Sequence, residues 1–163
     1  MFATIQTTST VQCVTINAAF LQEVKEAHSQ VWETLYTLRV IAQQATVTDA
    51  EIHLWVSKLT EFRRQLSTEF ALEETYGYIS STQRQHINVG VDPSVTLKQH
   101  RELYLQMLEV CERVEESQYV GTVVRDFRLH VACFQEFDAS LSEHERLESL
   151  MIREGLGLKQ LTV

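Results

Sequence analysis

The chain is poor in the residues that break helices. It has one proline and five glycines, which disfavours a turn-rich β fold and favours long helices. It is also poor in cysteine: Cys13, Cys111 and Cys133 form no CxxC pair. An odd, scattered set fits reduced structural thiols in a cytoplasm. Basic residues number 14 against 22 acidic ones, for a net charge of −8. Without a basic stripe to neutralise phosphates, nucleic acid is not an expected partner. No apolar run reaches the ~18 residues of a membrane span. The N-terminus lacks the basic start and apolar block of a signal peptide. A cytoplasmic protein that binds neither nucleic acid nor membrane is expected.

What remains is an ordinary globular composition, with 44% hydrophobic residues in a chain of 163. That is enough for one domain with a sizeable core. Residues 1–16, rich in Thr and Val, read as an extended arm. Residues 17–155 carry four long helical patterns, and 156–163 form a C-terminal tail.

The first pattern runs from about Asn17 to Gln44, with a seam of Leu21, Val24, His28, Val31, Leu35 and Leu38. The second runs from about Thr48 to Tyr78, with Ile52, Trp55, Leu59, Phe62, Leu66, Glu69, Glu73 and Tyr76. The third starts near Pro93-Ser94 and carries Leu97, His100, Tyr104, Met107, Cys111 and Val114. The fourth runs from about Tyr119 to Arg153. Its seam is Val120, Val123, Phe127, His130, Phe134, Phe137, Leu141, His144, Glu148 and Met151. Steps of three and four mark helices packed at a shallow angle, which predicts an all-α, up-down-up-down antiparallel four-helix bundle. The connection "GYISSTQRQHINVGVD" is long for a compact domain, as functional loops often are.

Polar residues interrupt these seams, and burying lone carboxylates costs several kcal/mol each. The seams offer no Lys or Arg in compensation, whereas a bound metal would compensate. Height along the bundle sorts the candidates. In antiparallel order His28, Glu69, Glu73, His100, His144 and Glu148 all lie ~8–15 Å from one end, at 1.5 Å per residue. His130 is ~21 Å from His144 along the same helix and reads as a hydrogen-bonded core histidine. His53 reads as surface, and His86 falls in the long loop. "EFALEE" and "HERLES" repeat an i, i+4 pair that shares one helix face. Two helix pairs, each giving one residue plus such a pair, can build a dinuclear carboxylate site.

These residues resemble the hemerythrin-like family, the HHE cation-binding domains. "KEAHSQVWETL" resembles its first element, "TEFALEE" its second, "LKQHRELYLQML" its third and "LSEHERLESLM" its fourth. The resemblance covers about residues 17–155 and implies a non-haem di-iron centre. It implies that Glu73 and Glu148 bridge the irons and that His28, His100 and His144 are terminal ligands. Glu69 stands where the family has His, and Tyr104 where its oxygen carriers have a second His. The implied site is three His and three Glu, with Tyr104 as a further ligand, a supporting donor or a plain core tyrosine. Manganese also suits such a set.

Oxygen ligands in place of imidazole favour Fe(III) over Fe(II). The expected function is therefore reaction with, or sensing of, O2, peroxide or NO, or the handling of iron itself. Reversible O2 carriage ranks lower. Another alternative is an interaction module ordered by metal, with its protein partner unidentified. In a metal-free version, Glu69 would pair with an arginine such as Arg63 or Arg64.

Overall fold

Helix starts follow local chemistry in this computed structural model, which describes residues 16–78 and 92–157. The Asn17 side chain accepts the Phe20 N–H at 3.2 Å and opens α1, Ala18–Ala27. After a break at His28, α2 runs Ser29–Gln43. Thr48 and Glu51 form a reciprocal capping box at the start of α3, Asp49–Leu72. Asp92 accepts the Ser94 N–H at 2.9 Å ahead of α4, Pro93–Tyr119. The last helix, α5, runs Val123–Gly155. Between α3 and the long loop, Glu73–Gly77 forms a single π-helical turn. The described residues are thus helical, as expected. None of their helices is long and apolar enough to cross a membrane. Residues 1–15, 79–91 and 158–163 lie outside the described residues. With them lie Cys13, His86, nearly all of the expected arm, most of the expected loop and most of the tail.

Two local departures from the expected helices matter for function. The first helix is not continuous. At His28 the backbone turns to φ −98°, ψ 39°, and the chain restarts as α2. His28 and Ser29 are both weak in helix interiors, and Ser competes for backbone hydrogen bonds. The second departure is the π turn. Its extra residue rotates the seam, so Tyr76, expected inside, is 52% exposed and touches Phe20 with ring centroids 5.4 Å apart. Gly77 and Tyr78 are buried in its place. Gly77 is required by close approach: a Cβ there would lie 2.1 Å from Leu21 Cδ2. Val120, also expected on a seam, is exposed beyond the end of α4.

Helix α4 packs along α5 and α3; α2 packs on α3; α1 packs on α5 and on the π turn. The larger apolar cluster gathers Leu35, Leu38, Trp55, Leu59, Phe62, Met107, Phe134 and Phe137. Trp55 meets Phe127 and Phe134 edge-on, at 5.4 and 5.6 Å between centroids. Its indole N–H donates to the Leu38 carbonyl at 3.2 Å, so the ring is buried without an orphaned donor. A smaller cluster holds Ile16, Ala18, Leu21, Tyr78, Met151 and Ile152. Glu73, His100, His144 and Glu148 fall between the members of these two clusters. The control histidine behaves as read: His130 is buried, with Nε2 2.9 Å from Ser117 Oγ. His53 is exposed. Cys111 is buried and Cys133 half-buried, both as free thiols.

Candidate metal centre

Four of the six expected ligands converge. Glu73 on the π turn, His100 on α4, and His144 and Glu148 on α5 each offer one ligand atom within 4.8 Å of the others. All four side chains are at most 2% exposed. Ligands across one first-row ion, each about 2.0–2.3 Å from it, stand about 4–4.6 Å apart. The group is therefore the size of one coordination sphere.

The partners around the histidines favour one tautomer for each ring. His100 Nδ1 lies 3.0 Å from Glu74 Oε1, and His144 Nδ1 lies 3.1 Å from Gln99 Oε1. Carboxylate and amide oxygens accept, so each Nδ1 carries the proton and donates. The two Nε2 atoms then present bare lone pairs to each other at 3.2 Å. Glu73 Oε2 lies 3.3 Å from His100 Nε2, an ion-pair distance without hydrogen-bond geometry. Three acceptors aimed at one point repel unless a proton or a cation lies between them. Backing each imidazole with an acceptor on Nδ1 is how proteins orient metal-binding histidines.

Electrostatics point the same way. Burial lowers both His100 and His144 to about 4, so both rings are neutral at pH 7. Burial raises Glu69 to about 8, with Glu145 and Glu148 adding repulsion against the pull of Lys25. Burial, then Glu148, also raises Glu73, and both Glu73 oxygens lack a hydrogen-bonded partner. Burial would raise Glu148 too, but Lys25 and Tyr78 outweigh it and hold it low. The donor chemistry and the orphaned oxygens both fit a bound cation.

Lys25 corrects the expectation that no basic side chain serves the cluster. Its ammonium lies 2.7 Å from Glu148 Oε2 and also pairs with Glu145. It is one turn before His28 and four residues after Leu21, a spacing that could have revealed it. Tyr78, Glu145, Gln99 and Glu74 were also missed. Tyr78 donates to Glu148 Oε1 from a fully buried position. Its proximity in sequence to the Glu73-Glu74 pair was the available signal.

The other expected residues lie elsewhere. Glu69 is buried one turn before Glu73, with Oε1 unpartnered, but is not among the converging four. His28 is half-buried at the helix break and lines a surface groove with Glu61, Arg64 and Thr68. Tyr104 is half-buried in an outer groove between Phe70, Glu74 and Arg101. Arg63 faces Glu115 at 3.9 Å rather than Glu69. Comparison with known proteins found no matching family model, no matching curated protein and no matching solved structure.

Proposed function

We propose that this chain is a hemerythrin-like protein with a non-haem metal centre, iron being the favoured ion. In this reading α1 and α2 together form the first helix of an up-down-up-down bundle. Its role is to react with or sense O2, peroxide or NO, or to handle iron. The observation that carries the reading is the pair of histidine Nε2 atoms facing each other 3.2 Å apart, with Glu73 beside them. Nothing but a proton or a cation makes that arrangement favourable.

Glu73, His100, His144 and Glu148 would hold the ion, and Glu69, one turn before Glu73, offers a further unpartnered oxygen. Bound iron would supply a Lewis acid and an electron store. The chain's own residues do the rest. Glu74 and Gln99 hold the imidazoles in one tautomer. Phe70 stacks on His100 at 4.1 Å and meets His144 edge-on at 5.7 Å, which fixes both rings. Buried Val31, Leu66, Met107 and Leu141 limit water access from the larger core. The carboxylates favour the more highly charged ion, so reversible O2 carriage ranks below redox chemistry or sensing.

Lys25 favours a second reading, a metal-free interaction module. There the ammonium balances Glu148 and Glu145, and protons neutralise Glu69 and Glu73. Metal analysis of anaerobically purified protein separates the two, followed by absorption spectra on O2 exposure and by melting with and without chelator. Bound iron whose removal lowers the melting temperature supports the metal centre. Chelator-insensitive melting with no metal rejects it in favour of the second reading.

A further inference from the structure

Side chains of the chain itself already approach both oxygens of Glu148. Tyr78 donates to Oε1, and the Lys25 ammonium lies 2.7 Å from Oε2. The same ammonium pairs with Glu145, a half-buried carboxylate next in sequence to His144. Two carboxylates, one of them shared with a neighbouring ligand set, are what a second metal ion in a helical dinuclear site would use. Here a lysine holds both. Its side chain is 13% exposed, and its ammonium lies 5.7 Å from the Trp32 ring centroid, so aromatic and carboxylate groups seat it together. His28, which a second ion would call on, faces the outer groove instead.

We propose that Lys25 occupies the second cation position of this centre, so that the chain takes one divalent metal ion rather than two. The inference rests on the metal reading above and specifies its stoichiometry. Charge supports it. One divalent ion and the ammonium together offset three of the four carboxylate charges of Glu69, Glu73, Glu145 and Glu148. Two such ions with the ammonium would exceed all four. A side-chain cation also costs no second metal-binding equilibrium, and it keeps Glu148 oriented toward the first ion whether or not that ion is bound.

The test uses the full chain, stripped with chelator and titrated anaerobically with Co(II). Cobalt per chain is measured after desalting, and the d–d absorption is followed. Wild type should saturate at about one Co(II) per chain, with no further spectral change on a second equivalent. Lys25→Met keeps the aliphatic stem and removes the charge; Lys25→His supplies a ligand. Both should rise to about two. Wild type taking two ions with Lys25 in place would overturn the proposal, as would native-like variants that stay at one. If a variant folds only with metal, refolding it in Co(II) gives the same decisive count. Wild type binding no cobalt is a separate outcome, which removes the metal reading itself and this inference with it.

Discussion

Glu69→Gln should flatten the pH dependence of stability of the metal-free protein above neutrality. Glu69 is 2% exposed, with one oxygen unpartnered. Around it stand Lys25 from α1, Glu145 and Glu148 from α5, and Glu73 one turn on. Burial raises its pKa to about 8, against roughly 4.3 in an unfolded chain. A carboxyl whose folded pKa is raised stabilises the fold at low pH. That contribution is lost as pH rises through the folded value. The two histidines act in the opposite direction, because burial lowers them to about 4. Their contribution is complete only well above the unfolded value of ~6.5 and is lost on acidification.

Between pH ~6.5 and ~8 the rest of the histidine contribution is common to wild type and variant and cancels between them, while Glu69 keeps its proton in the fold and not in the unfolded chain. One such group costs about 1.4 kcal/mol per pH unit, or ~2 kcal/mol over this window. In a chain of this size that is roughly 4–8 °C of melting temperature. Urea titrations of metal-stripped wild type and Glu69→Gln at both pH values measure it. Wild type should lose ~2 kcal/mol more than the variant on going to the higher pH. Glu73 and Glu145 are raised as well, and losing a negative neighbour relaxes them, which acts in the same direction. Equal pH dependence in the two proteins would refute the argument, since Glu69 would then be ionised in the fold.

Gly77→Ala should cost about 1–3 kcal/mol by overpacking, because the new Cβ would meet Leu21 Cδ2 at 2.1 Å and Cγ at 2.7 Å. A double-mutant cycle with Leu21→Ala, read by urea titration, should show favourable coupling. Tyr78→Phe removes the donor to Glu148 Oε1 and should destabilise the metal-free protein by about 1–3 kcal/mol in the same assay. Ser117→Ala leaves His130 Nε2 without its partner. It should lower stability by about 1 kcal/mol while leaving metal content per chain unchanged, since His130 stands apart from the centre.

Hydrophobic period was enough to find the helices and most of their inner faces. Leu35, Leu38, Trp55, Leu59, Phe62, Met107, Phe134 and Phe137 all sit on predicted seams and all are buried. A stripe of three- and four-residue steps has only one way to leave water. The same logic carried Glu69, Glu73, His100, His144 and Glu148 inward, because a residue on a regular helix goes where its neighbours go. It failed where the helix stops being regular. Counting in steps of three and four assumes 3.6 residues per turn, and the π turn at Glu73–Gly77 violates that. Tyr76 and Tyr78 exchange places as a result. The break at His28 has the same effect on the first helix, and no proline or glycine marks it.

Lys25 escaped for a different reason, and that reason bears on how buried charge clusters should be read. A seam records which Cβ atoms face inward, but a lysine stem is long enough to start at the margin of a face and end in the core. Glu145, beside the seam residue His144, enters the same way. Three glutamates on seams without a seam cation suggested that any balancing charge had to come from outside the chain. With the margins counted, there are four carboxylates and one ammonium. The excess of negative charge survives but is smaller, and either protons on Glu69 and Glu73 or a bound cation would offset it. Charge has to be counted by reach, because the interior field that sets the Glu69, Glu73 and Glu148 protonation states responds to where Nζ and Oε atoms end up. It does not respond to where their helices place Cα.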